Sequence, residues 1–405
     1  MKLSVGYSFA EGLLEKLAAF PEVAEVYGKM DADIFGGGRS SYTFSPVSKK
    51  DVRKAVDRCH QLNIKFNYLL NAAYLHGLEQ TRKGQKQIRG FLDFLDDIKV
   101  DNITVASPFL LRLIKSCYPR FSVRIGVFAM VDTPLKALEW EGLGADTICV
   151  GAIACNRDFK RLAAIRKSVK CNLELIANAG CLLQCAYEPT HMQMLTQSSS
   201  TRDPLKGFCL DYCFLHCSSA RLQEPVNYIR STWIRPEDLH VYEDLGYDHF
   251  KIVERSSPPE LIVKRVKAYS DRSFNGNLLE IVGPVARIKK EQGLTWFERL
   301  RLIKRFFRPG FAKLSGIKTT ADYAEFIIPH QFDEKNAGVY IDNRKLDGFL
   351  EGITKRGCTG TDCGSCTYCA ETAKNVVRFR DGYREKAIEM AGSLEKSMHT
   401  GSLWE

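Results

Sequence analysis

No stretch of this sequence approaches the ~18 consecutive apolar residues that a membrane-spanning helix needs. The opening run MKLSVGYSFAEGLLEKL carries acids inside its apolar part and lacks a small-residue cleavage site, so it does not read as a secretory leader. Neither an HExxH motif nor a GxSxG elbow occurs, which removes the signatures of the zinc peptidases and of the serine hydrolases. Nor is it depleted in apolar residues: 45% hydrophobic and 26% charged is ordinary globular composition, which excludes a disordered or fibrous chain. Together these features describe a cytoplasmic protein. Its 405 residues exceed one typical domain, although an α/β barrel can run to ~250 residues as a single unit. The expectation is one large domain plus an appendage.

Cysteine, by contrast, is abundant, with fourteen in the chain. A reducing cytosol does not sustain structural disulfides, so clustered cysteines there point to metal or catalysis. Cys59, Cys117, Cys149, Cys155 and Cys171 are scattered along helix-like or strand-like runs and read as small buried hydrophobes. The other nine fall into two tight groups. Charge is also localised. Of the net +10, the segment Val285–Lys318 carries ten Lys or Arg against Glu291 and Glu298, so any nucleic-acid or anionic-lipid surface is expected there.

From Met1 to about Ser270, β-rich runs alternate with amphipathic helical spacing. Strands are predicted at Leu3–Tyr7, Ala24–Tyr27, Lys65–Leu70, Asn102–Ala106, Val123–Met130, Thr147–Val150, Leu173–Ala177 and Phe250–Val253. Helices are predicted over Val52–Leu62, Ile88–Ile98, Thr133–Glu141 and Phe159–Ser168. Eight such strands fit an α/β fold of the (β/α)8, TIM-like type better than an open sheet. The expected division is a barrel over 1–284, a basic amphipathic extension over 285–345 and a C-terminal cysteine segment over 346–405. Leu294–Phe307 reads as a helix ended by Pro309-Gly310, either packed on the barrel or offering a basic surface to lipid, quinone or RNA.

A long insertion follows Leu173–Ala177 and reaches about Glu224, and in a barrel such a loop lies on the active-site face. It holds Cys181-x3-Cys185 and Cys209-x3-Cys213-x3-Cys217. If the segment is helical, each x3 pair shares a face and the thiolates converge. Zinc and iron–sulfur clusters both select soft thiolates, so the spacing leaves both open. A [4Fe–4S] cluster on Cys181, Cys185, Cys213 and Cys217 is the favoured assignment, with Cys209 as spare or substitute. His191 reads as a ligand, an acid–base group or a surface histidine.

The C-terminal group is Cys358-x4-Cys363-x2-Cys366-x2-Cys369. C-x2-C-x2-C is the core of ferredoxin-type cluster binding, so a second [4Fe–4S] cluster, a zinc ion or free redox thiols are the alternatives. Helices are expected at Ala370–Arg380 and Arg384–Lys396, as a lid or interaction segment.

Beyond the cysteine-rich insertion the chain reads Ser231-Thr-Trp-Ile-Arg235-Pro236-Glu237-Asp238-Leu239 and then Phe250-Lys251-Ile252-Val253-Glu254-Arg255. In this order and place the two motifs resemble the collagenase-like peptidase family of unassigned catalytic type. Val26-Tyr27-Gly28, Phe35-Gly-Gly-Gly-Arg39, Phe66-Asn-Tyr-Leu-Leu-Asn71 and Leu173-Glu-Leu-Ile-Ala-Asn178 extend the likeness over about residues 1–285. The resemblance implies a (β/α)8-type barrel whose four cysteines hold an oxygen-sensitive [4Fe–4S] cluster. It also implies oxygen-independent hydroxylation of ubiquinone precursors or RNA bases, with prephenate as oxygen donor in some members. Position by position, Cys181, Cys185, Cys213 and Cys217 become cluster ligands, and Lys251, Glu254 and Arg255 become the charged strand end beside the site. Two departures stand out: the usual Glu-Gly-Arg is Val253-Glu254-Arg255, and the cysteine pairs have the tighter x3 spacing.

Arg39, Arg235, Lys251 and Arg255, at strand ends, are candidates to clamp an anionic substrate, with structural ion pairs as the alternative. Asn71, Asn156 and Asn178 end or follow strands and either orient a substrate or cap the backbone. Glu237 and Asp238 after Pro236 read as a helix first turn. Three functions follow from these readings. The first is an iron–sulfur enzyme carrying out hydroxylation or another redox step on a small-molecule, quinone-like or RNA substrate, with His191, Glu254 and Arg255 as catalytic candidates. The second is a peptidase using a cysteine activated by His191, or a metal. The third is a non-catalytic partner subunit of a related barrel.

Overall fold

The computed structural model describes residues 1–41, 44–205, 207, 209–283, 314–360 and 362–405. Eight parallel strands close into a barrel in chain order. They are β1 (Lys2–Gly6), β2 (Val23–Gly28), β3 (Lys65–Leu70), β4 (Asn102–Val105), β5 (Ser122–Ile125), β6 (Thr147–Cys149), β7 (Asn172–Ile176) and β8 (His249–Ile252). Closure is made by β8 pairing with β1, with Ser4 opposite Lys251 and Val5 opposite Ile252. All eight expected strands are present. The run expected to Met130 ends sooner: β5 stops at Ile125, and Val127–Ala129 is a tight 3-10 turn. Phe128 is buried in a turn rather than a strand, and burial alone does not distinguish the two.

The helices begin where the local chemistry allows. Ser48 and Asp51 form a reciprocal capping box at the start of Lys49–Gln61. Thr81 caps Arg82–Asp97, Thr133 caps Pro134–Gly142 with proline in its first turn, and Asp158 caps Phe159–Ser168. Their apolar faces cover the barrel, whose strands are buried on both sides.

The barrel interior is not wholly apolar. Arg124 of β5 lies in it, ion-paired with Glu25 of β2 and 2.9 Å from Glu174 of β7. Asn67 donates to Glu25 at 3.1 Å and Thr104 donates to Asn67 at 2.9 Å. Burial alone would raise the Glu25 carboxyl, but Arg124, Ser4 and Asn67 outweigh it and hold the group below its usual range.

The C-terminal segment packs on this barrel. β9 (Val339–Ile341) pairs antiparallel with β10 (Val377–Phe379), and Ile341, Leu346, Phe349 and Val376 join the barrel's apolar core. The helix expected over Ala370–Arg380 runs from Tyr368 to Val376 and gives way to β10, because Val377 and Phe379 are bonded to β9. The other expected helix spans Tyr383–His399. The predicted basic helix Leu294–Phe307 lies outside the described residues. Among the described residues no helix is long and apolar enough to cross a membrane. Cys59, Cys149 and Cys155 are buried as expected and Cys171 is partly so, whereas Cys117 is exposed beside Arg89.

Candidate active site

The candidate residues gather at the C-terminal ends of the strands: Asn71 follows β3, Asn178 follows β7, and Glu254 and Arg255 follow β8. The insertion after β7 supplies two helices, Glu188–Ser198 and Tyr212–Gln223. Asp211 starts the second by accepting the Phe214 N–H at 2.8 Å, which places Cys213 and Cys217 one turn apart on one face. The x3 spacing puts Cys181 and Cys185 on one face only if their segment is helical, and it is not. They flank a turn in which Gln184 takes φ 50°, a left-handed conformation that a helix does not tolerate.

Cys181 lies within electrostatic reach of Cys185 and Cys217, and Cys213 within reach of Cys185 and Cys217. Cys209 lies among the Ser40 and Ser198 hydroxyls and within electrostatic reach of Cys213. Among the described residues, no three His, Cys, Asp or Glu side chains are grouped so as to hold a single metal ion. Two cations serve the thiols. Arg221, one turn after Cys217, donates to its Sγ at 3.5 Å and also to the Gly180 carbonyl. Arg39 lies within electrostatic reach of Cys181 and Asp211. Burial pushes the Cys181 thiol up to about 11 and that of Cys213 to about 12, so neither is an activated nucleophile in the empty protein.

Arg39 reaches this point because of the glycines before it. Gly36 and Gly37, at φ +79° and +81°, thread the chain between the Thr196 carbonyl and the Asn71 backbone, where a Cβ would lie 2.1 Å and 2.6 Å from its neighbours. Arg39 then donates Nε–H to Glu254 Oε2 at 2.7 Å. Burial alone would raise the Glu254 carboxyl, but Arg39 and Ser256 outweigh it and hold it low. Glu254 holds a backbone suited to glycine, with φ 133°.

The remaining candidates divide. Lys251 is buried with its ammonium 4.0 Å from the Tyr27 ring centroid. Arg255 donates one nitrogen to the Lys29 carbonyl at 3.1 Å and leaves Nη2 buried without a partner. Asn71 has a buried Oδ1 without a partner. Asn178 is bound at both ends to the Val253 backbone, 2.6 Å each way, and extends the β7–β8 pairing. Asn156 likewise donates to the Ile176 and Thr232 carbonyls. Arg235 is enclosed by Asp238, Asp347 and the Asn343 carbonyl, and so ties the C-terminal segment to the barrel. His191 Nε2 lies 3.3 Å from Asp211 Oδ2. Beside Arg39, Cys209 and Asp211 opens a cavity of about 180 Å³, also lined by Phe214, Ser256 and Tyr323.

Comparison with known proteins assigns the family. The model of peptidase family U32 matches residues 31–279, which covers the candidate residues from Arg39 to Arg255. The chain belongs to peptidase family U32. An uncharacterized protease of Methanocaldococcus jannaschii is 26% identical over 348 residues, 86% of this chain and 87% of that protein. A U32 peptidase of solved structure covers 62% of this chain and 92% of its own, at 21% identity and TM-score 0.45. The U32 match ends before the C-terminal cysteines.

Sequence reading missed the side chains that support the thiols. Arg221 was legible as the residue four after Cys217 on a helix, and Asp211 as the N-cap ahead of Cys213. The buried ion pair of Lys29 and Asp33, 3.0 Å apart, left no such signal.

Proposed function

We propose that this U32 protein is an iron–sulfur enzyme that hydroxylates, or otherwise modifies by redox chemistry, a small-molecule, quinone-like or RNA substrate without dioxygen. The observation that supports the reading is that Cys181, Cys185, Cys213 and Cys217 lie within pairwise electrostatic reach of one another in the insertion after β7, with Arg221 bonded to Cys217. The chemistry of the four donors suits the group. Soft thiolates suit iron–sulfur binding, and arginines beside them offset the negative charge that a thiolate-bound cluster carries. Cys209, beside the Ser40 and Ser198 hydroxyls, is kept as the spare thiol.

A [4Fe–4S] cluster bound there supplies one-electron redox chemistry. The chain's own residues do the rest. Arg39, anchored by Glu254, presents a cation between the thiols and the neighbouring cavity and orients an anionic or oxygen-rich substrate. Asn71 Oδ1 and Arg255 Nη2, each buried without a partner, offer an acceptor and a donor for further polar groups. Lys251, held over Tyr27, adds positive charge at the end of β8. His191 Nε2 faces Asp211 Oδ2 and pairs an imidazole with a carboxylate beside the thiols.

The test is direct. Protein purified without oxygen and incubated with candidate quinone precursors or RNA, together with prephenate as hydroxyl donor and a two-electron acceptor, should yield products heavier by one oxygen atom by mass spectrometry. The relatives' names favour peptide hydrolysis instead. Casein cleavage by metal-free protein, lost in Cys185→Ser, would replace this reading with that one.

A further inference from the structure

The C-terminal cysteines lie outside the U32 match, yet they sit against the central group. Cys358 follows the helix Phe349–Arg356, and Cys369 lies in the first turn of Tyr368–Val376. Between them the Asp362 carbonyl accepts from Ser365 and Cys366 N–H at 3.1 Å and 3.0 Å, a turn that folds Cys363 and Cys366 back. Cys363 lies within electrostatic reach of Cys358 and Cys366, and Cys369 within reach of Cys358 and Cys363.

Two guanidiniums without full partners lie within electrostatic reach of these thiols. Arg157 is 3% exposed, stacks 4.2 Å from the Trp233 ring centroid and gives Nε–H to the Ser231 carbonyl. Its Nη1 and Nη2 are buried without a geometric hydrogen-bond partner, and the neighbouring Tyr242 hydroxyl donates to the Asn156 carbonyl. Arg157 is the foremost cation acting on Cys369, and Arg230, whose Nε is buried without a partner, acts on both Cys363 and Cys369. Burying a guanidinium with two idle nitrogens is costly unless an anion sits before it. Four thiolates on a doubly positive core carry a net charge of −2, which two arginines offset.

The loop also touches the central site. Gln184 donates to the Thr359 carbonyl at 3.2 Å, and Gly360, at φ +79°, is pressed so closely that a Cβ would lie 2.8 Å from Gln184 Nε2 and 3.2 Å from Leu183 Cδ2. Leu183 and Gln184 are part of the spacer between Cys181 and Cys185. We propose that Cys358, Cys363, Cys366 and Cys369 hold a second iron–sulfur centre, counter-charged by Arg157 and Arg230, that exchanges single electrons with the central site across this contact. The proposal rests on the iron–sulfur reading of the central thiols. An external low-potential one-electron carrier is oxidised by one electron and the C-terminal centre reduced by one. That electron then passes to the central centre, with no bond made or broken.

The test uses the full chain, loaded anaerobically, with dithionite as the electron source. Iron should be about eight atoms per chain, falling to about four in Cys363→Ser/Cys366→Ser. The paramagnetic resonance spectrum of the reduced protein should be broadened by coupling between two centres and collapse to a simple signal in that variant. Gly360→Val, which keeps every thiol but forces the loops apart, should retain the iron and weaken the coupling. It serves as the test if the double variant does not fold. One zinc per chain at the C-terminal group, or eight irons without coupling, overturns the proposal. Four irons lost only on Cys213→Ser/Cys217→Ser also overturn it while leaving the central reading intact. Four irons lost only on the C-terminal substitutions would instead overturn the central reading.

Discussion

Glu254 holds a backbone conformation that L-residues other than glycine rarely adopt, φ 133°, directly after β8. Holding such a residue there costs roughly 1–3 kcal/mol. Replacing it by alanine removes the carboxylate and its bonds to Arg39 and Ser256 but leaves the strain in place. Replacing it by glycine removes the same bonds and relieves the strain, against about 0.5–1 kcal/mol of added freedom in the unfolded chain. The two variants share the loss of the ion pair, which is itself modest because Arg39 keeps 34% of its side chain exposed. The difference between them is therefore about 1 kcal/mol in favour of glycine, the reverse of the usual order. Urea unfolding of both variants, read as midpoints with equal slopes, measures it. Alanine equal to or more stable than glycine refutes the strain argument.

Other perturbations have equally definite outcomes. Gly126→Ala places a Cβ 1.8 Å from Asn71 Oδ1 and 2.8 Å from Thr104 Cγ2. It should cost about 1–3 kcal/mol, much of it recovered when Asn71→Ala is added, in a double-mutant cycle. Asn178→Ala strips the Val253 backbone of both partners and should destabilise by about 1–3 kcal/mol in thermal or urea unfolding. Glu25 titrates below its ordinary 4.5 because Arg124, Ser4 and Asn67 hold it ionised despite burial. Its contribution to stability is therefore complete above that pH and is lost as pH falls through the lowered value. Unfolding of Glu25→Gln across that acid window should show a shallower pH dependence than the parent; equal slopes would contradict the assignment.

Much of the barrel was legible in the sequence because parallel strands buried on both faces read as short apolar runs between amphipathic helices. Lys65–Leu70 and Phe159–Ser168 fall where the pattern places them. Val123–Met130 overran because an apolar turn continues an apolar strand. The turn at Cys181–Cys185 was hidden because spacing alone does not report the left-handed residue at Gln184. The interior ion pairs of Arg124 were invisible for a different reason: Glu25 and Glu174 meet it only when the barrel closes. At the site, Cys213 and Cys217 were readable as a helical pair, whereas the contact of Gln184 with Thr359 joins residues far apart in the chain.

The central claim is that the thiols of Cys181, Cys185, Cys213 and Cys217 grip iron and sulfide. Iron and acid-labile sulfide, measured side by side on oxygen-free wild-type protein and on its Cys213→Ser/Cys217→Ser variant, test it most directly. The account predicts equal iron and sulfide in the parent and a loss of about four of each in the variant; a parent without sulfide, or a variant that keeps all of it, contradicts it.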